Sequence, residues 1–227
     1  MKRRPPGRAR RAIAAVALAY VAGSLPVVYL LGRLAGVDLR RYGSGNVGSS
    51  NLTVAAGPAA GLAGWISDAA KGGLAVLSAR RLTGDEALAG LALLGALSGQ
   101  CWPALLGWRG GRGVATLVGG MLVLTPRAAP WALGAMAAIG GLRPLAKGRG
   151  PIGTALHAGA VPVGVLTGTA VWPLVCLRQA GSRRAAPTAA AALLLLIARR
   201  LTANGRPQAG ADGVVLLTRM VVDRDRW

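Results

Sequence analysis

The sequence predicts an all-α, polytopic membrane protein with about seven transmembrane or half-spanning helices, and three observations carry the prediction. Apolar residues make up 53% of the 227 and the mean hydropathy is +0.47, a composition foreign to water-soluble domains. Several apolar stretches approach or exceed the ~20 residues that cross a hydrocarbon core. The arginines fall in short clusters between those stretches, at 3–11, 40–41, 80–81, 109–112, 143–149, 183–184 and 199–206, where helix-flanking anchors and headgroup contacts belong.

Residues 1–11 form a basic N-terminal tail. A basic start followed by an apolar run resembles a signal peptide, but this run continues to about Leu34 and is long enough to span, so 12–34 reads as a retained first helix. Further spans are expected at 54–66, 68–80, 87–106, 113–125, 128–142, 152–177 and 187–200. Several are too short to cross alone. The pair interrupted at Ser67 and Asp68, and the pair separated by TPRAAP, are expected to be half-helices, re-entrant turns or kinked helices, because membrane backbone breaks only where protein or a watered cavity satisfies it. The C-terminal tail, 207–227, contains GVVLLTRMVV, an interfacial segment or a short strand. No internal repeat or heptad pattern interrupts what reads as one integral membrane domain over 1–227.

The net charge of +20 does not make this a nucleic-acid binder: the charges are dispersed and aromatic residues, the stacking platforms, are only 4%. Cys101 and Cys176 lie far apart beside apolar runs and read as buried thiols behaving as small hydrophobes. No metal site and no cofactor is expected.

Three polar constellations stand out. The first, YGSGNVGSSN at 42–51, sets glycines, serines and asparagines between apolar regions. Gly43, Gly45 and Gly48 can adopt positive φ and turn backbone N–H groups into a concave phosphate nest, with Ser44, Ser49, Ser50, Asn46 and Asn51 adding donors. The second is WISDAAKGG. Asp68 and Lys71, three apart, share a helix face and can pair, and ionisable groups at membrane depth face a protein interior or polar cavity. They serve either as a neutralised lock between helices or as part of a site, with Gly72 and Gly73 allowing close approach. The third, GWRGGRGVAT at 107–116, interleaves Arg109 and Arg112 with Gly110, Gly111 and Gly113 and runs to Thr116. Backbone donors and two guanidinium forks would face an anion at a helix N-terminus, without the spacing of an NTPase P-loop.

With GSLP at 23–26, DLRRYGSGNVGSSN at 38–51, DAAKG at 68–72 and GQCWP followed by WRGGRGVAT within 99–116, the chain resembles the bacterial PlsY family of acyl-phosphate:glycerol-3-phosphate acyltransferases. The resemblance covers about the first half of the chain. It implies a seven-helical membrane enzyme that moves a fatty acyl group from acyl phosphate to the sn-1 hydroxyl of glycerol 3-phosphate, giving lysophosphatidic acid for phospholipid synthesis. It also implies catalytic roles for Ser44, Asn46 and Arg112. Substrate-binding roles fall to Gly43, Gly45, Gly48, Asn51, Asp68, Lys71, Arg109, Gly110, Gly111, Gly113 and Thr116, with membrane lipids as the other partners. The family pattern is altered in places. Val54 and Gln100 stand where it has Arg and His, and Arg109 and Arg112 replace lysines. Around Arg200, Leu201 and Gly205 the pattern's His, Asn and Glu are missing, with Arg206 or Gln208 where the carboxylate belongs. This loss supports an alternative, a catalytically weakened paralogue that binds phosphorylated lipid precursors and regulates lipid synthesis. An anion transporter is a third reading.

The implied reaction asks for little acid-base help. Acyl phosphate is an activated mixed anhydride, so positioning and oxyanion stabilisation supply most of the rate, and a phosphate oxygen of the donor can take the hydroxyl proton. The lone histidine, His157, lacks the following Asp of His-x4-Asp acyltransferases, since Pro162 is there, and reads as a helix-packing residue. Cytosolic substrates require the motif loops to face the cytoplasm. The six basic residues before position 12 favour the opposite orientation by the positive-inside rule; the chemistry is the stronger constraint.

Overall fold

The computed structural model describes the backbone of residues 7–142 and 150–203, and their side chains except at 8–9 and 150–159. Its α-helices are α1 Arg8–Ser24, α2 Val27–Leu34, α3 Ser49–Thr83, α4 Glu86–Cys101, α5 Val114–Leu124, α6 Ala129–Gly140, α7 Gly150–Arg178 and α8 Ala186–Thr202. Among the described residues there is no strand. Four stretches are long and apolar enough to cross a membrane: Arg10–Leu34, Glu86–Leu106, Ala160–Arg178 and Ala180–Thr202. The first takes in α1 and α2 together, so the helices make seven spanning or half-spanning units, as the sequence predicts. The expectations for 1–6, for the C-terminal tail and for Gly205, Arg206 and Gln208 fall outside the described residues, and the side chain of His157 falls outside those placed.

Two predicted boundaries are corrected. The span 12–34 breaks at Leu25 and Pro26, because proline has no N–H for the ladder and disfavours helical geometry in the residue before it. The break expected at Ser67 and Asp68 is absent: α3 runs straight through, and its interruption lies at Gly57, which takes φ 86° ahead of Pro58. Polarity suggested a break at 67–68, yet an inward-facing ion pair is compatible with an uninterrupted helix. The turn predicted at TPRAAP does separate α5 from α6.

Small residues let the helices approach. Gly95, Gly99 and Gly23 lie against backbone across the parallel α1–α4 contact, where a Cβ at Gly95 would come within 2.7 Å of the Val16 carbonyl. Gly72 and Gly119 do the same between α3 and α5, where a Cβ at Gly72 would strike the Thr116 carbonyl and one at Gly119 the Ala69 carbonyl. Close backbone packing of this kind replaces the hydrophobic effect as the source of cohesion in lipid. The core around α4 is formed by Leu93, Leu97, Leu117, Met121, Leu196 and Trp172, all buried. Cys101 and Cys176 are buried free thiols, as the sequence suggests.

Candidate functional site

The C-terminal ends of α1, α4 and α8 and the N-terminal ends of α3 and α5 meet at one end of the bundle. Tyr20 Oη donates to the Trp102 carbonyl at 2.8 Å, and α8 reaches the segment before α5 through Arg199. The phosphate-nest segment forms the loop between α2 and α3 and is wound around one side chain. Asn51, in the first turn of α3 and buried, donates Nδ2 to the carbonyls of Leu39 (3.0 Å), Tyr42 (2.9 Å) and Asn46 (3.0 Å), and its Oδ1 accepts the Ser44 N–H at 3.3 Å. Its amide organises the loop and is not presented to a ligand, contrary to the sequence expectation.

Gly43 (φ 56°) and Gly45 (φ 74°) take the left-handed conformation expected, and a Cβ on Gly43 would collide with Asn51 Oδ1. Gly48 does not: it is extended, with φ −139° and ψ 164°, and its glycine is needed for space, since a Cβ would sit 2.9 Å from Asn46 Nδ2. The Gly45 N–H goes to the Tyr42 carbonyl at 3.0 Å and the Asn46 N–H to Ser44 Oγ at 3.4 Å. These amides are therefore taken up inside the loop. The donors left for an anion include the first-turn amides of Ser49 and Ser50, which lack intrahelical acceptors and carry the positive end of the α3 dipole. Asn46 is 5% exposed, and its Oδ1 has no hydrogen-bond partner among the described residues.

The outer side of the loop is clamped to α2. Arg40 Nη2 donates to Tyr29 Oη at 2.7 Å and to Asp38 Oδ2 at 2.8 Å, and the guanidinium lies 4.7 Å from the Tyr29 ring centroid. The hydrogen bond from Arg40 holds the Asp38 carboxyl down at about 2.

Asp68 and Lys71 form the pair that their spacing predicts, 2.9 Å apart and buried, and the structure adds two partners. Lys71 Nζ also donates to Gln100 Oε1 (2.7 Å) and to the Leu25 carbonyl (2.7 Å), while Gln100 Nε2 donates to Asp68 Oδ2 at 2.8 Å. All three ammonium donors of Lys71 are thus engaged. Of the two roles left open for this pair, the lock between helices is the one the geometry displays, joining the α1–α2 break, α3 and α4.

In the third segment, Gly107 (φ 60°) and Trp108 (φ 67°) make a left-handed turn, after which Gly110 and Gly111 are buried against α4. The Gly111 N–H donates to the Gln100 carbonyl at 3.0 Å, and a Cβ on Gly111 would come within 2.9 Å of the Val47 carbonyl. The two arginines part company: Arg112 is buried and Arg109 exposed. Gly113 (φ 75°) caps α5, and Thr116 is fully buried one turn in, with its carbonyl beside Gly72.

Reading Arg80, Arg199 and Arg200 as helix-flanking anchors and headgroup contacts is corrected here. Arg199 is 4% exposed and donates Nε to the Gly111 carbonyl (2.9 Å) and Nη2 to the Gly110 carbonyl (2.6 Å). Arg200 is equally buried. At the other end of the bundle, Arg80 donates Nη1 to the Val123 carbonyl at 3.0 Å and Nη2 to Glu86 at 2.9 Å, fastening α3 to α5 and α4. Gln100 and Arg199 are the site residues that sequence reasoning missed. The available signals were a polar Gln100 in the apolar α4 and a basic Arg199 directly after the apolar run LLLLIA in α8.

Four strings distant in sequence thus touch. A small cleft is lined by Ser24, Leu25, Val47, Lys71, Gln100, Gly110 and Gly111. An apolar groove between α1 and α3, lined by Leu18, Ala22, Ala70 and Leu74, runs to the same Lys71. Among the described residues the buried charges here are Lys71, Arg112, Arg199 and Arg200 against Asp68, a balance suited to anions.

A family model described as glycerol-3-phosphate acyltransferase matches residues 13–205. Curated relatives include glycerol-3-phosphate acyltransferase 5 of Dehalococcoides mccartyi, 42% identical over 137 residues that cover 57% of this chain and 56% of the relative. The glycerol-3-phosphate acyltransferase of Rubrobacter xylanophilus is 47% identical over 112 residues, covering 49% and 56%. That of Myxococcus xanthus is 43% identical over 157 residues, covering 65% and 82%. The chain thus spans little more than half the length of the first two. Two crystal structures of PlsY, an integral membrane glycerol 3-phosphate acyltransferase, superpose on it. The lysophosphatidic acid form gives a TM-score of 0.69 at 26% identity, covering 83% of this chain and 87% of that one. The glycerol 3-phosphate form gives 0.68 at 27% identity, covering 90% and 98%.

Proposed function

This chain belongs to the glycerol-3-phosphate acyltransferase family, the PlsY family, and from that premise we propose that it transfers a fatty acyl group from acyl phosphate to the sn-1 hydroxyl of glycerol 3-phosphate. The products are lysophosphatidic acid and inorganic phosphate. The observation that carries the reading is the convergence of residues 23–26, 38–51, 68–72 and 99–116 on one buried, net-positive end of a membrane bundle. Two helix N-termini without side-chain caps, those of α3 and α5, lie at that end, and their first-turn amides offer places for two phosphates. The apolar groove that reaches Lys71 suits an acyl chain.

In the reaction the sn-1 oxygen attacks the acyl carbonyl, the C–O bond to phosphate breaks, and the hydroxyl proton passes to a phosphate oxygen of the donor. Arg112 offsets the donor's negative charge. Ser44 and Asn46 position the acceptor's phosphate and hydroxyl groups beside the α3 N-terminus. Gly43, Gly45, Gly48 and Asn51 shape that loop, and Gly110, Gly111, Gly113 and Thr116 the other wall. Asp68 and Lys71 hold the walls together, and Arg109 meets the substrate or headgroups from its exposed position. The site faces the cytoplasm, where both substrates are made.

Purified protein given palmitoyl phosphate and glycerol 3-phosphate is expected to form lysophosphatidic acid, and acyl-CoA or an acyl carrier protein thioester is expected not to replace the donor. Equal turnover with acyl-CoA would refute the donor assignment. A second reading, a weakened paralogue that binds these precursors without turning them over, is favoured by the loss of the third motif's His, Asn and Glu around Arg200, Leu201 and Gly205. Tight binding of glycerol 3-phosphate without product would establish it.

A further inference from the structure

We propose that Arg199 is a positioning residue that holds the Gly110–Gly111 segment from α8 and thereby sets the direction of the Arg112 amide. The proposal rests on the acyltransferase reading. Arg199 sits in the run LLLLIARR, whose other residues up to Ala198 are uncharged, and is buried with its fork on two successive carbonyls 88 and 89 residues away. A planar guanidinium can bond two adjacent acceptors at once, whereas an ammonium reaches them only as a point charge.

The segment needs such a grip. Neither glycine has a side chain to hold it, and there is no room for one: a Cβ on Gly110 would strike the Gln100 carbonyl, and one on Gly111 would lie 3.0 Å from Gln100 Nε2. Gly111 is held on its other side by its N–H bond to the Gln100 carbonyl at 3.0 Å. The described peptides are trans, so within each planar unit the C=O and the following N–H point in opposite directions. Drawing the Gly111 carbonyl toward α8 therefore turns the Arg112 N–H away from α8. Rotation of that peptide would re-aim both the amide and the guanidinium of a residue that the proposed reaction uses. α8 thus remains coupled to the cleft although the His and Asn of the family pattern are missing from the residues before Arg200.

The test compares Arg199→Gln and Arg199→Lys with the unaltered protein in three measurements: steady-state kinetics with palmitoyl phosphate and glycerol 3-phosphate, thermal unfolding, and hydrogen exchange of the peptide covering 107–113. In Arg199→Gln, kcat is expected to fall about tenfold to a hundredfold, the scale on which a 1 Å misplacement acts. Both KM values should stay within about threefold, and exchange at 110–112 should accelerate by about tenfold or more while α3 and α4 remain protected. Arg199→Lys should recover part of kcat. A KM for either substrate that rises tenfold with kcat preserved would overturn the proposal by making Arg199 a substrate contact. Unchanged kcat and unchanged exchange would overturn it by making the grip inert. If Arg199→Gln does not purify as folded protein, Arg199→Lys carries the test, and a wild-type kcat there would refute the need for a fork. If the unaltered protein makes no product, the acyltransferase reading fails on its own. The exchange measurement still decides the grip, and unaltered exchange at 110–112 would refute it.

Discussion

Replacing Asn51 with Asp keeps the shape of the side chain and deletes both N–H donors. Those donors serve three carbonyls, and two of the bonds, to Leu39 and Asn46, are buried. Leaving a buried acceptor unsatisfied costs about 1–3 kcal/mol, so the two together cost roughly 2–6 kcal/mol before any repulsion between the new carboxylate and the carbonyls it faces. Domain stabilities are about 5–15 kcal/mol. The loop can open into water without unwinding α3, so the loss should appear as local opening of 39–48, with a rate at least about 30-fold lower when 2 kcal/mol of positioning is lost. Product formation from palmitoyl phosphate, measured beside limited proteolysis of 39–48, checks this. A raised KM for glycerol 3-phosphate with the loop still protected would mean that Asn51 touches substrate after all. Wild-type rates in Asn51→Asp would refute the keystone role altogether.

At Arg112, buried before α5, Arg112→Ala should lower kcat/KM about tenfold to a hundredfold by removing charge-assisted bonds, and Arg112→Lys should be impaired too because a point charge cannot replace a fork. An Arg112→Lys variant faster than the unaltered protein would show that the site is decaying. The Asp38 carboxyl titrates at about 2 in the fold against an ordinary 3.8, so its clamp with Arg40 is complete above about pH 4 and is lost only as pH falls toward 2. Activity between pH 5 and 8 should show no step that disappears in Asp38→Asn, and such a step in a pH–rate profile would refute the assignment. Because both native cysteines are buried, single cysteines can be read against a quiet background. Ser50→Cys should be labelled only from the cytoplasmic side and Arg184→Cys only from the other, and labelling of Ser50→Cys from outside would end the acyltransferase reading.

Hydropathy and glycine punctuation were enough to find the helices because a bilayer requires every backbone group to be satisfied within an apolar span. They located the turn between α5 and α6 but not every break. Pro26 broke a span that composition treats as continuous, while Asp68, polar enough to suggest a break, sits in an unbroken helix because Lys71 and Gln100 satisfy it. The same limit applied at the site. The motif strings were legible as phosphate chemistry, but which of their amides face outward depends on a knot of tertiary bonds around Asn51 that no spacing rule contains. Gly48 shows the difference most plainly: its glycine was legible, and its reason, room for Asn46 and not a positive φ, was not.

The arginines carry the remaining step. A basic residue beside an apolar run reads equally well as a headgroup anchor or as a buried donor, and only packing separates the two. Arg109 and Arg184 stay exposed, while Arg112, Arg199 and Arg200 turn inward at the motif end. Their buried guanidiniums bring positive charge to that end and complement phosphates. The described residues at that end offer no comparable base: Asp68 is held by Lys71 and Gln100, and Ser44 Oγ accepts the Asn46 amide. An end whose described residues are rich in positive charge and poor in bases suits a reaction in which the protein orients two anions and the donor's own phosphate removes the proton.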